Sequence, residues 1–333
     1  MGAITPFLEV SYGRVRVTTP GAQTRDTALI IRRDNPYLPQ SIVDQMIQLN
    51  APTLTFGRVG QDLGVAMGDN RTSTFRAVAG FDANLGNGWR ADAYYQFGQT
   101  DTRQVVSNNR ITANFNRALD AVDEGRFLTG TANGNIVCRD TLSPNAAVRD
   151  AAAGCRPLNL FGQYRFLPEA RDYAFATSTQ TTRFQQHVVA ANLTGELFDF
   201  GSGPGSIAIG GEYRSERVRG SADDISRTNG FYISNASDFG PETVNVTEGY
   251  VETVVPLLRR LPGAELLELN AAIRRTHYNT SGAVTTWKVG GIYEPVAGLR
   301  FRGTRSRDIR APNAAELYTP LVAAQGSVFD LQN

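Results

Sequence analysis

The feature that most constrains this chain is a period of two in hydrophobicity, repeated through segment after segment. In Trp89 to Phe97 the odd positions are Trp89, Ala91, Ala93, Tyr95 and Phe97, while the even ones include Arg90, Asp92 and Gln96. The same odd-apolar rule holds in Phe75 to Leu85, Val189 to Leu197, Ile207 to Tyr213, Val251 to Leu257, Leu267 to Ile273, Trp287 to Tyr293 and Leu299 to Gly303. Side chains on a strand alternate between two faces, so each segment reads as an antiparallel strand with one apolar and one polar side. An earlier stretch, Phe7 to Arg16, reads as a further strand set in mid-sheet. No period near 3.6 is comparable, and no apolar run approaches the roughly twenty residues of a membrane-spanning helix. Membrane β-barrels stay open to such a chain, because their strands alternate.

The connections narrow the choice. Tight turns fall at Gly86-Asn87-Gly88, Phe200 to Gly205, Arg260-Leu261-Pro262-Gly263 and Pro295-Val296-Ala297-Gly298, all rich in residues that supply turn dihedrals. The remaining connections are a very long one from about Thr102 to Thr179, a medium one from about Gly220 to Val244, and a brief one at Asn279-Thr280-Ser281-Gly282. Short and long connections alternate, which puts the tight turns at one rim of an antiparallel sheet and the excursions at the other, as in an outer-membrane barrel. A soluble sandwich or barrel seldom carries so long an insertion. On this reading the apolar set, with aromatics at Phe75, Trp89, Phe97, Phe198 and Tyr293, meets lipid, and the charged set lines a wet lumen.

The long loops contain helical pieces that pack against the barrel mouth. Pro39 to Leu49 has a capping Ser41, Asn114 to Val122 places Phe115, Leu119 and Val122 on one side, and Asn145 to Ala153 is stopped by Gly154. Cys138 and Cys155 have no metal-ligand partners nearby, since His187 and His277 are far away in sequence. A disulfide closing the loop fits these two cysteines, at about 3 kcal/mol by loop entropy, and places the loop in an oxidising compartment. The alternative is two unpaired thiols in a cytosolic loop.

Chemistry is not expected. The 33 basic residues face 32 acidic ones spread along the chain, against the basic patch a nucleic-acid binder needs. Gly201-Ser202-Gly203-Pro204-Gly205 precedes an alternating strand and so reads as a hairpin turn, not a phosphate cradle. Asp223-Asp224 and Asp120, Asp123 and Glu124 read as solvated loop charge rather than metal ligands. Neither histidine has a serine elbow near it, and both read as rim or lumen residues. The expectation is no enzyme, no metal and no cofactor.

From Glu212 onward the order of motifs resembles one family. Gly211-Glu212-Tyr213-Arg214, Glu248-Gly249-Tyr250-Val251-Glu252, Leu267 to Arg274, Thr286-Trp287-Lys288, and Arg302 to Asn313 followed by Glu316-Leu317-Tyr318 resemble the barrel of TonB-dependent outer-membrane receptors. Upstream, Asp34-Asn35-Pro36-Tyr37, Phe56-Gly57-Arg58, the cysteine pair and Pro157 to Gly162 are similar to one large branch of it. The resemblance implies an all-β antiparallel transmembrane barrel of 22 strands around an amino-terminal plug, importing scarce nutrients with energy relayed by the TonB complex.

The start at Met1 to Pro6 lacks a secretory signal, and the chain stops after Val328-Phe329-Asp330 without a closing element, so residues 1–333 are expected to be part of one such barrel, about nine or ten strands, without plug or carboxy-terminal strands. The implied partners are outer-membrane lipid, the TonB complex through the missing plug region, and a small ligand: a siderophore, an oligosaccharide or a similar molecule fits the mixed charges equally. By parity the expected substrate path comprises Asp92, Tyr94, Arg214, Glu252, Asn270, Arg274, Arg300 and Arg302, with Arg310, Asn313 and Glu316 near the outer mouth. Two other readings remain: a passive outer-membrane porin, and a soluble β-rich binding or adhesin module.

Overall fold

The computed structural model describes residues 3–21, 23–199 and 201–318. Nine long strands form one antiparallel sheet, each paired with its neighbour along the chain. β1 (Ile4–Pro20) is followed by a small separate hairpin, β2 (Arg25–Arg32) and β3 (Thr53–Val59), and the main sheet resumes with β4 (Met67–Gly86) and β5 (Trp89–Arg110). A short ribbon, β6 (Ala121–Asp123) and β7 (Ile136–Cys138), lies within the next excursion. The wall then continues through β8 (Phe175–Asp199), β9 (Pro204–Ala222), β10 (Phe239–Leu261), β11 (Ala264–Tyr278), β12 (Gly282–Val296) and β13 (Leu299–Arg307). All eight alternating segments lie inside these strands. The segment Phe7 to Arg16 lies in β1, which is an edge rather than a mid-sheet strand among the described residues; β13 is the other edge. The fold is all-β, an antiparallel barrel wall in which β1 and β13 are not paired with each other among the described residues. Val328-Phe329-Asp330 lie outside the described residues.

From β4 to β13 pairing keeps parity from strand to strand away from bulges, whereas β1 sets its even positions against the odd ones of β4, as in Tyr12 opposite Phe75. Tyr95 faces Val189, Val189 faces Tyr213, Val251 faces Ile209 and Ile273, and Ile273 faces Trp287. The odd positions therefore join into a continuous apolar belt on one face, and Val189, Ile273 and Val289 are each more than half exposed there. In water so large an apolar surface would be unfavourable, whereas lipid solvates it. Arg305 and Arg307 on the edge strand β13 share that face by register.

Two expected boundaries move. The long excursion begins after Arg110 and ends before Phe175, not at about 102 and 179, and the medium one runs from Asp223 to Asp238 rather than from 220 to 244. These strand ends lack alternation, as strands do where both faces are wet and nothing demands apolar residues on one of them.

The packed core is not in the wall but above it. Leu29, Ile31, Leu38, Met46 and Leu63 from the excursion between β1 and β4 join Phe115, Leu119, Leu158, Leu160 and Phe175, which belong to the excursion between β5 and β8 or to its exit into β8. Helix α1 (Gln40–Gln48) buries Met46, and α2 (Thr112–Leu119) buries Phe115, Ala118 and Leu119. Two positions differ from expectation. The N-terminal boundary of α1 is Pro39 with no side-chain cap, so Ser41 does not cap it, and Val122 lies in β6 beyond the end of α2. Helix α3 (Glu124–Thr129) is capped by Asp123. In α4 (Ala146–Ala151), Asn145 accepts from the Ala147 N–H, and Gly154 beyond it takes the left-handed conformation. Helix α5 (Pro168–Ala174) leads into β8, and α6 (Asp224–Arg227) lies in the third excursion.

The quoted motifs are the cross-links of this cap. Cys138 and Cys155 form a disulfide within the second excursion. Asn35 is buried and donates to the Leu119 carbonyl at 2.9 Å, while Asp34 pairs with Arg139 at 2.6 Å. Phe56 stacks on Phe161 with ring centroids 5.5 Å apart, and Arg58 donates to the Leu160 carbonyl. Asp120 and Asp123 are not solvated charges: Asp120 is bound by Arg32 and Arg139, and Asp123 is buried, accepting N–H bonds from Arg126, Asn133 and Gly134. Those N–H groups hold the Asp123 carboxyl below its usual range, the Arg126 N–H contributing most.

Candidate functional site

Even positions from β4 to β13, and odd positions on β1, face the side opposite the apolar belt, the inner side of a barrel wall, and there polar side chains bond laterally from strand to strand. One line starts at Glu9 on β1. Arg76 approaches it at 3.2 Å and donates to Gln96, Gln96 donates to Gln186, Gln186 donates to Glu216, and Arg214 lies 3.2 Å from Glu216 and 3.0 Å from Glu212. Five adjacent strands are linked this way.

A second line lies nearer the tight turns. The Tyr250 hydroxyl donates to Asn192 Oδ1 at 2.8 Å, and Asn192 Nδ2 donates to Asp92 at 2.7 Å. The strand between them, β9, presents Gly210 at the crossing point, where a Cβ would sit 2.4 Å from the Asn192 oxygen and 2.5 Å from the Tyr250 ring. Only glycine leaves room for tyrosine to reach over it. Arg274 covers the Tyr250 ring at 5.1 Å and pairs with Glu248 at 3.1 Å, and Thr276 donates to the same carboxylate.

The expected residues thus fall into two groups. Asp92, Arg214 and Arg274 are drawn into the lateral lines, each held by a neighbour. Tyr94 lies over Gly80, whose missing Cβ leaves space for it and for the Phe7 ring. Asn270 faces Gly290 across the ladder. Glu252 makes no ion pair among the described residues and lines two cavities on this face, of about 340 and 710 Å³. Arg274 and Lys288 line the smaller, Arg90 and Glu196 the larger. Arg300 pairs with Glu294, and Arg302 stands opposite Ile292 on the edge strand. Arg310 pairs with Glu316, while Asn313 and Glu316 cap each other reciprocally at the start of α7 (Ala314–Tyr318), so these three form a local motif apart from the lines.

Asn192 and Tyr250 are not among the expected residues, although their even positions would have placed them on this face. His187 is placed on the opposite side. It pairs with Phe97 on the odd face, where Tyr95 Oη and His187 Nδ1 lie 2.7 Å apart, making it part of the aromatic rim rather than the lumen. Asn192 therefore sits in the wall, committed to Asp92 and Tyr250.

A family model described as TonB dependent receptor-like, beta-barrel, matches residues 22–332. No curated protein matches the chain.

Proposed function

The chain belongs to the TonB-dependent receptor β-barrel family, an outer-membrane transport family rather than an enzyme family, and on that footing we propose that it forms part of the barrel of a receptor that imports a scarce nutrient, a siderophore, an oligosaccharide or a similar small molecule. What carries this reading is the two-faced wall: a continuous apolar belt outside and strand-crossing polar lines inside, on the same strands. Lipid solvates the first, and a hydrated passage accommodates the second.

Ligand would be captured at the rim of long excursions and pass along the inner face. Among the described residues Glu252, Arg302 and Lys288 are inner-face charges without an ion-pair partner, and together with Asn270 they offer both donors and acceptors to a polar solute. Asp92, Arg214 and Arg274 shape the passage through their bonds. A plug held inside the full-length barrel would meet the same face and would be the element through which the TonB complex acts.

The test is uptake by the full-length protein in strains with and without TonB, scored on a panel of siderophores and oligosaccharides. Accumulation that depends on TonB supports the reading. Accumulation that persists unchanged without TonB favours a passive pore and overturns it.

A further inference from the structure

The inner face changes character toward the excursions. On β4, β5 and β8 the inner positions from Asn70 to Thr74, from Thr100 to Val106 and from Ser178 to Phe184 carry amides, hydroxyls and apolar groups but no charge. Gly13, Val15 and Val17 flank them from β1, and Val218, Gly220 and Ala222 from β9. The arginines of the same stretch, Arg14, Arg71, Arg103, Arg183 and Arg219, occupy the intervening positions and so lie on the outer face. Charge is thus sorted between the two sides of one piece of wall. Below the neutral sector the charged line of Arg76 and Glu216 begins, and Glu242, opposite Val218, borders it on β10.

Hydroxyls and two rings furnish this sector. The Thr72 and Thr102 hydroxyls lie 3.3 Å apart, and those of Thr74 and Thr100 3.1 Å apart. Phe184 stands opposite Thr100, in the same register row as the second pair. Phe239 lies over Gly220, the neighbour of Thr182, and a Cβ on that glycine would sit 2.1 Å from the ring. Both phenylalanines are half-buried. Their backbone positions are two strands and one register row apart, roughly 12 Å at ordinary strand spacing. Above them is a cavity of about 270 Å³, where Asn70, Gln104, Ser178 and Gln180 of the wall meet Ser234 and Asn235 of the third excursion.

This chemistry selects among solutes. Carboxamides and hydroxyls both donate and accept hydrogen bonds, which matches a solute whose own groups are hydroxyls. The C–H face of a sugar ring packs on the negative face of an aromatic ring. An ionised solute would lose hydration here with no counter-charge to compensate it. Two rings so far apart are not reached by one sugar, whereas a chain of sugars spans both.

We propose that this sector binds a neutral oligosaccharide, and that the transported nutrient is of this class rather than a charged chelate. The inference rests on the wall being part of a receptor barrel. Phe184 and Phe239 carry sugar rings, the threonine pairs bond the hydroxyls between them, and the amide-lined cavity holds the end of the chain nearest the excursions.

The test uses the full-length receptor in detergent, titrated calorimetrically with neutral gluco-, xylo-, manno- and galacto-oligosaccharides from di- to hexasaccharide, with the same sugars oxidised to uronates, and with ferric siderophores. At least one neutral oligosaccharide is expected to bind at least about tenfold more tightly than its uronate, a difference of about 1.4 kcal/mol. Phe184→Ala is expected to weaken that binding by at least about tenfold and Phe184→Tyr to restore it, both keeping the heat-dependent gel mobility of a folded barrel. A second variant, Thr102→Cys, is expected to react with a maleimide more slowly when the oligosaccharide is bound. Failure of every neutral oligosaccharide to bind overturns the site, as does a uronate bound equally well, or unchanged affinity in folded Phe184→Ala with no protection of Thr102→Cys. Uptake that depends on TonB but is confined to siderophores overturns this inference alone, whereas uptake indifferent to TonB overturns the receptor reading on which it rests.

Discussion

Arg110 at the end of β5 and Asp26 in β2 form a buried ion pair, the Arg110 Nη1 lying 2.8 and 2.9 Å from the two carboxylate oxygens. The same guanidinium is covered by the Phe115 ring at 4.4 Å and the Tyr232 ring at 3.9 Å. One side chain of the wall therefore joins all three of the longer excursions: Asp26 from the first, Phe115 from the second and Tyr232 from the third.

Removing one partner of such a pair leaves an uncompensated buried charge. Asp26→Ala is expected to cost about 3–5 kcal/mol of cap stability, and replacing both partners by Asp26→Leu with Arg110→Met is expected to recover most of it. Hydrogen exchange of the amides in 111–174 measures this. Unchanged protection in Asp26→Ala would mean that the pair does not hold the cap.

The disulfide between Cys138 and Cys155 acts on the cap alone. Its reduction, or the pair Cys138→Ser with Cys155→Ser, is expected to lower the local stability of the second excursion by about 3 kcal/mol on the loop-entropy argument. Proteolysis should then cut within 111–174 while β8 and β9 stay intact. Equal cleavage before and after reduction contradicts this.

Asp123 makes the cap sensitive to acid. Its folded pKa lies below the ordinary value, so its carboxylate stabilises the fold fully above the unfolded aspartate pKa of about 3.9 and loses that contribution as pH falls through the lower folded value. Pepsin, which cleaves beside exposed residues such as Phe127 and Leu128, is expected to cut α3 progressively faster as pH drops below about 4. Asp123→Ala should be cut fast at every acidic pH. A wild-type rate that does not change through this window argues against the mechanism.

Gly210 is required by the inner polar line. Gly210→Ala puts a methyl group against both Asn192 and Tyr250, and overpacking of this kind costs roughly 1–3 kcal/mol. The companion change Tyr250→Ala, which removes the ring, should relieve most of that cost. Thermal unfolding of the single and double variants separates the cases, and a double variant less stable than the sum of the two singles contradicts the assigned contact.

The wall was legible because lipid imposes alternation wherever it touches a strand. Val189, Ile209 and Ile273 announce their face two residues at a time. Above the bilayer that constraint lifts, so the upper ends of β5 and β8, from Thr102 to Arg110 and from Phe175 to Thr179, carry no period and read as loop. The cap core was invisible for a different reason: Leu63 and Leu158 are buried in one core that no local spacing reports. The motifs Asp34 to Tyr37, Phe56 to Arg58 and Pro157 to Gly162 were visible as strings, yet their role as mutual contacts emerges only once the two excursions are side by side. The inner lines were half legible. Parity put Asp92 and Arg274 on the right face, but it did not single out Asn192, whose importance comes from Gly210 letting Tyr250 through.

The central claim is that odd positions of the wall from β4 to β13 meet lipid and even positions meet water, and introduced thiols test it most directly. Among the described residues the native cysteines are joined to each other and none is free, so an added cysteine reports alone. With the full-length protein in vesicles, Leu269→Cys, Ala271→Cys and Ile273→Cys carrying a fluorophore should be quenched by brominated lipid, while Asn270→Cys and Ala272→Cys should react with a membrane-impermeant maleimide and escape that quenching. Quenching that does not alternate along β11, or that alternates in the opposite phase, would contradict the account.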